Sequence, residues 1–324
     1  MDFKDIYAVV ADDFDSVNRF ISDLLNTNVS MIREVGEYIV GSGGKRLRPL
    51  VAILSARACG YTGDKHVHVA AIIEFLHTAT LLHDDVVDES SLRRGRPTVN
   101  AVWGNAASVL VGDFLISRAF PLVVEVGDLA LMDILADSTN IISEGEVLQL
   151  INCRDPATTE ERYMRVIHHK TAKMFESAAE TGAVLALGNQ QQALRDNLAA
   201  YGRHLGIAFQ LVDDVLDYAG DAGELGKNVG DDLAEGKPTL PLIHAMRQGT
   251  AEQASMIRDA ILKGGLDKLD EILAVVHDSG SLEYTMAKAR EQTELALAAL
   301  VELPASAYRE SLEALAREAV NRHF

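Results

Sequence analysis

Apolar residues recur along this chain at three- and four-residue steps. Phe14, Val17, Ile21, Leu24 and Leu25 form one series, Leu266, Leu269, Ile272, Leu273 and Val276 a second, and Leu312, Leu315, Ala316 and Ala319 a third. That period puts apolar side chains on one face of a helix. Two-residue alternation between turn residues is rare, so strands should be few. Residues 64–89 read as one long helix, with Asp64 as a candidate N-cap and no Gly or Pro before Gly95. Such a helix would run roughly 39 Å. Turn signals fall at 41–44, 60–64, 94–97 and 155–156. No proline lies between Pro156 and Pro238 or between Pro241 and Pro304, which favours helix there. Residues 219–239 hold Gly220, Gly223, Gly226, Gly230 and Gly236 among many charges. They read as a mobile loop of the kind used as a lid or binding element. No Pro/Ser-rich linker divides the chain, so residues 1–324 read as a single, all-α domain.

Composition narrows the class. Apolar residues are 48% and charged residues 24% of 324, the balance of a soluble globular protein. Thirty basic against 48 acidic side chains give a net charge of −18, which argues against nucleic acid as a partner. Cys59 and Cys153 fit no disulfide framework or zinc motif and read as free thiols of a reducing cytoplasm. The acidic N-terminus shows no signal-peptide pattern. The most apolar stretch, 69–82, is broken by Glu74 and His77 and is shorter than the roughly 20 residues of a membrane span.

One hexapeptide recurs. His83-Asp84-Asp85-Val86-Val87-Asp88 is echoed by Val212-Asp213-Asp214-Val215-Leu216-Asp217, each at the end of an apolar helical run. On a helix Asp84 and Asp88 share a face, as do Asp213 and Asp217, and their like charges repel unless neutralised. One such pair is ordinarily a solvated acidic helix end. Two near-identical pairs point instead to Mg²⁺, which takes hard oxygen ligands and is often held by one or two carboxylates plus substrate phosphate. Two clusters facing each other across a cavity could hold several Mg²⁺ ions on a diphosphate, as facing helices of bundles do with metals. The basic residues complement them. Lys45, Arg46 and Arg48 follow a double glycine, Arg93, Arg94 and Arg96 follow the first cluster, Lys170 sits in HHKTA, and Lys227 and Lys237 lie in the glycine-rich segment. Each alone is an ordinary surface cation. Beside aspartate clusters they suggest phosphate sites.

With these residues assembled, the chain resembles the trans-isoprenyl diphosphate synthases over almost its whole length. The motifs are GGKRLRP (43–49), LLHDDVVDESSLRRGRPT (81–98), HHKTA (168–172) and FQLVDDVLDYAGDAGELGKNVGDDLAEGKPT (209–239). The likeness is nearest the bacterial long-chain branch. It implies a single large bundle of long helices around a deep central cavity, usually as a homodimer. It further implies that Asp84, Asp88 and Asp213 bind Mg²⁺, with Asp85, Asp214 and Asp217 as supporting carboxylates. Lys45, Arg48, His77 and Arg94 would hold isopentenyl diphosphate. Arg93, Lys170, Thr171, Gln210, Lys227 and Lys237 would contact the allylic diphosphate. His77 alone on an apolar helix would ordinarily be a core histidine, but it stands two turns before Asp84. His83 reads as packing.

The implied reaction joins isopentenyl diphosphate head to tail to an allylic diphosphate such as farnesyl diphosphate. Metal and cations would stabilise the departing diphosphate. No protein nucleophile is needed, and no convincing Ser–His–Asp or Cys–His set is present. The expected product has eight isoprene units, with nine or fewer as the alternative, and would supply a quinone side chain. Ala79 and Thr80 are small where short-chain relatives carry bulky aromatics, so a product channel should stay open past Leu76, Ile73 and Ile72. Small residues can equally serve close helix packing. Phe120 and Met132 are candidate floor residues. A lipid-like product suggests transient membrane contact. Rivals are a terpene cyclase, whose second metal motif usually carries Asn, Ser or Thr, and Glu, and a regulatory subunit, which usually loses its aspartates.

Overall fold

The computed structural model describes residues 1–93, 95–188, 190–219 and 229–321, and there helix dominates. The order is α1 (Phe3–Val9), α2 (Ala11–Leu25), α3 (Ser30–Val40), α4 (Leu47–Ala58), α5 (Lys65–Val87), β1 (Leu92–Arg93), β2 (Arg96–Pro97), α6 (Val99–Trp103), α7 (Asn105–Val126), α8 (Leu129–Asn152) and α9 (Glu160–Ile167). A π-helical turn (His168–Ala172) leads into α10 (Lys173–Leu187) and α11 (Gln192–Ala219). Then come α12 (Asp231–Ala234), α13 (Leu240–Gln248), α14 (Ala251–Lys263), α15 (Leu269–Asp278), α16 (Ser281–Ala299) and α17 (Ala307–Val320). The strands form an antiparallel hairpin pairing Leu92 with Pro97 and Arg93 with Arg96.

Local chemistry sets several boundaries. Asp2 and Asp5 close a capping box on α1, and Thr250 and Gln253 close another on α14. Gly264 ends α14 in the left-handed region at φ 61°. Leu266 therefore falls in the following turn, exposed, and the helix expected from it begins only at Leu269. Helix α5 spans 23 residues, about 35 Å, and is shorter than expected at its C-terminal end. Asp64 holds the N-cap position without a side-chain cap bond, and Asp88 is the C-cap. Of the glycine-rich segment, 220–228 lies outside the described residues. The described remainder is not all loop, because Asp231–Ala234 is helical.

The residues group into two compact units. The first comprises Met1–Thr139, Met174–Gly202 and Ala299–Leu315. In it α5 packs against α2, α4 and α7. Val69, Ala71, Ile72, Ile73, Phe75, Leu76, Ala79 and Leu82 are all buried, the mark of a central helix enclosed on most sides. Glycines admit the close contacts. A Cβ at Gly112 of α7 would lie 2.4 Å from His83 Nε2, and one at Gly202 of α11 would lie 2.2 Å from the Phe175 carbonyl oxygen. Asp13 of α2 accepts from Arg57 of α4 at 2.6 and 2.8 Å, and His66 Nε2 of α5 stands 2.8 Å from the same carboxylate. Burial raises the Asp13 pKa, but the Arg57 and His66 bonds outweigh it and hold the carboxyl below its ordinary range.

Helix α7 corrects the hydropathy reading: by length and composition it could cross a membrane. Its Val111, Leu115, Ala119, Leu122 and Val123 are buried, while Leu110, Phe120 and Val124 are exposed. Phe120, at 60% exposure, is thus no packed floor within this chain.

The second unit comprises Asn140–Lys173, Arg203–Ala298 and the residues after Leu315. One apolar cluster surrounds the C-terminal part of α11, with Leu211, Val212 and Val215 against Tyr163, Ile167, Leu240 and Met286. Another joins Tyr218 and Leu233 to Leu242, Ile257, Ile261, Ile272 and Val276.

Candidate active site

The first aspartate cluster closes α5. Asp84 and Asp88 are half-buried one turn apart, and the Asp88 N–H donates to the Asp84 carbonyl at 2.8 Å. Asp85 is buried, and its Oδ1 accepts from Arg93 Nε at 2.9 Å and Nη2 at 2.8 Å. Burial pushes the Asp85 carboxyl above its ordinary range; Arg93 opposes this, and the charges of Asp84 and Asp88 add to it. Asp85 is therefore a hairpin anchor. Further bonds hold the segment. Asn100 Nδ2 donates to the Asp85 and Ser90 carbonyls at 3.0 and 3.1 Å, and Thr98 Oγ1 donates to Ser90 O at 2.8 Å. Tyr38 Oη donates to Pro97 O at 2.7 Å, and Arg96 donates to Gly41 O at 2.9 Å while stacking on the Tyr38 ring.

The GGKRLRP segment uses its glycines as turn residues: Gly43 and Gly44 have φ of 72° and 127°, and Arg46 follows at 41°. Arg46 bonds Asn18 and lies 3.7 Å from Glu74. Arg48 Nη1 lies 3.0 Å from His77 Nε2, and since a guanidinium only donates, that nitrogen is the acceptor. The Arg48 guanidinium also sits 4.4 Å over the fully buried Phe175 ring. Lys45 is exposed, with its ammonium 4.1 Å over Phe3. Two residues expected to share a substrate, Arg48 and His77, are thus in contact. Arg94 lies outside the described residues.

Along α5, Ala79 is fully buried, Leu76 nearly so, and half-buried Thr80 donates to the His77 carbonyl at 2.8 Å. Ala79 is packed, so a larger side chain there must displace neighbours. Met132 is half-buried on α8.

The second cluster closes α11. Asp214 is buried, with both oxygens occupied: Tyr163 Oη donates to Oδ2 at 2.5 Å and Gln210 Nε2 to Oδ1 at 2.8 Å. Burial and the charge of Asp232 push its carboxyl up, against the bonds from Tyr163 and Gln210. Thr171 Oγ1 donates to Gln210 Oε1 at 2.9 Å, which joins the π-helical turn to α11. That turn lies against Gly145 of α8, where a Cβ would be 2.8 Å from the Lys170 nitrogen. Lys170 Nζ pairs with Glu146 at 2.7 Å. Asp217 receives the returning chain, its carboxylate taking the Asp232 N–H at 3.2 Å and its carbonyl the Gly230 N–H at 2.9 Å. Asp213 is half-buried, and Lys237 pairs with Glu235. Lys227 lies outside the described residues.

Sequence reasoning missed Tyr163, Glu146 and Phe175. Tyr163 had a signal: it precedes Lys170 by two helical turns, as His77 precedes Asp84. Glu146 and Phe175 had none.

An aspartate cluster on each of two helices, the first bonded to Arg93, on a largely helical frame suits a class that handles diphosphates. The sequence profile described as polyprenyl synthetase matches residues 29–277, and the chain belongs to that family. It is an enzyme, a prenyltransferase. It is 53% identical to octaprenyl diphosphate synthase of Escherichia coli, covering 99% of each chain. It is 50% identical to a geranyl-diphosphate-specific all-trans-nonaprenyl-diphosphate synthase of Rhodobacter capsulatus, again over 99% of each. Among solved structures it is similar to a polyprenyl synthase of Caulobacter crescentus complexed with calcium and isoprenyl diphosphate. The TM-score is 0.95 at 43% identity, covering 99% of this chain and 98% of that one. The fold is that of the isoprenoid synthases.

Proposed function

We propose that this prenyltransferase adds isopentenyl diphosphate, head to tail and repeatedly, to an allylic diphosphate such as farnesyl diphosphate, giving an all-trans chain of eight isoprene units. The observation that carries the reading is the pair of intact aspartate clusters, each backed by a buried carboxylate whose own partners hold it in place. The 53% identity to an octaprenyl diphosphate synthase supports the product length.

Asp84, Asp88 and Asp213 suit Mg²⁺, being half-buried hard oxygen donors at helix ends. When bound, Mg²⁺ offsets the charge that develops on the departing allylic diphosphate. Arg93, Lys170, Lys227 and Lys237 supply positive charge to that diphosphate, with Thr171 and Gln210 orienting it. Arg48, held by His77 and Phe175, grips isopentenyl diphosphate together with Lys45 and Arg94. That substrate is kept apart from the aspartates, so it stays un-ionised and offers its double bond to the allylic carbon. The released diphosphate takes the final proton.

The exposed apolar face of α7, with Leu110, Phe120 and Val124, supports pairing with a second copy as a homodimer. A cytoplasmic enzyme with transient membrane contact would deliver the lipid-like product to the assembly of quinone side chains. The test is incubation with farnesyl diphosphate, isopentenyl diphosphate and Mg²⁺, with products identified by mass spectrometry. A linear C40 diphosphate that disappears with EDTA is expected. A C45 product would shift the length, a cyclic hydrocarbon would make the protein a cyclase, and no turnover would make it a subunit.

A further inference from the structure

Thr171, Gln210, Asp214 and Tyr163 form an unbroken circuit between two helical segments. Tyr163 lies on α9, and Thr171 lies in the π-helical turn that follows it. Gln210 and Asp214 lie one turn apart on α11. The bonds run Thr171 Oγ1 to Gln210 Oε1 at 2.9 Å, Gln210 Nε2 to Asp214 Oδ1 at 2.8 Å, and Tyr163 Oη to Asp214 Oδ2 at 2.5 Å. The segment that carries Lys170 and Thr171 is thus tied to α11 at both ends, through side chains rather than backbone. Tyr163 itself reaches no substrate: it is 5% exposed and sits in the apolar cluster with Ile167, Leu211 and Val215.

We infer that Tyr163 is a positioning residue for the allylic diphosphate, acting through Asp214 and Gln210 on Thr171. The inference rests on the function proposed above and adds a residue to it. Asp214 has two strong donors. Without the phenol its Oδ2 is buried unsatisfied, and the carboxylate turns to recover a bond. Gln210 then loses the partner that fixes which way its amide points. If the amide flips, its NH₂ faces Thr171 and the acceptor for that hydroxyl is gone. The Thr171 hydroxyl then loses its fixed direction, while Lys170 keeps its pair with Glu146. Arg48 and His77 belong to the other unit, where they contact each other. The loss should therefore fall on one substrate.

The test is Tyr163→Phe, with each substrate varied at saturation of the other. The KM for the allylic diphosphate should rise about tenfold, the effect of leaving one buried acceptor unsatisfied. The KM for isopentenyl diphosphate should change less than about twofold. Tyr284→Phe is the control. It removes a phenol that donates to Glu160, the first residue of α9 and no member of the circuit, at 2.9 Å, and it should leave both constants unchanged. If Tyr163→Phe does not fold, the double variant Y163F/D214N removes the buried acid along with its donor and should show the same selective rise. Equal changes in both KM values, or no change in a folded variant, would overturn the inference. Wild-type protein that makes no polyprenyl product would instead overturn the proposed function.

Discussion

Replacing Phe175 with leucine should weaken isopentenyl diphosphate binding while leaving the allylic site alone. The ring is fully buried, and the Arg48 guanidinium lies 4.4 Å over it while also reaching His77. A cation–π contact contributes about 0.5 kcal/mol when exposed and about 2 kcal/mol when desolvated. At about 1.4 kcal/mol per tenfold, loss of the platform should raise the KM for isopentenyl diphosphate roughly two- to thirtyfold. Arg48 is half-buried, so the middle of that range is expected. Shrinking the side chain costs stability as well, about 1–3 kcal/mol, below the ~3–5 of Phe→Ala. Two measurements separate these effects. Thermal denaturation reads the packing loss, and steady-state kinetics with each substrate varied in turn reads the positioning loss. A variant that melts lower yet keeps its KM for isopentenyl diphosphate would refute the platform reasoning. So would a parallel rise in both constants.

Other consequences are as direct. Asp13→Asn should lower stability by about 1–3 kcal/mol near neutral pH, since it weakens the charged bonds to Arg57 and His66. The folded-state pKa of Asp13 is lowered, so its contribution is present above the ordinary carboxylate value and lost as pH falls from there through the lower folded value. Melting curves of variant and parent should therefore converge only as pH falls below about 4. Gly202→Ala should destabilise by about 1–3 kcal/mol, because its Cβ would press on the Phe175 carbonyl, which is backbone and cannot step aside. A lower melting temperature checks it, and an unchanged one would mean the helices can separate freely. Ala79→Phe should shorten the polyprenyl product and cost stability, since the position is enclosed. A C40 product from a folded variant would remove Ala79 from any role in chain length.

Much of this was written in local sequence. The three-four spacing of Val17, Ile21, Leu24 and Leu25 became the buried face of α2, and Leu312, Leu315, Ala316 and Ala319 became that of α17. Asp84 and Asp88 fall one turn apart because helical geometry alone requires it. What spacing could not supply was partnership across long separations. Nothing in the sequence couples Arg48 to Phe175 or Tyr163 to Asp214, since those contacts depend on how distant helices pack. Arg93 shows the same limit: its place beside the first cluster was legible, but not its bond to Asp85. The apolar reach of α7 is hard to see in sequence, where Asp113, Arg118 and Pro121 interrupt the run, yet the helix continues through all three.

The hairpin after α5 carries a consequence for the timing of order. Tyr38, Thr98, Asn100 and Asp85 fix its backbone and Arg93 before any anion arrives. A free arginine loses about 2 kcal/mol of rotamer freedom when it is clamped. Here that loss falls on folding, and on the proposed function a diphosphate need only compete with Asp85 for a guanidinium that is already confined. On that reading the second aspartate of the motif is a placeholder for the ligand, keeping the arginine arrayed between one substrate and the next.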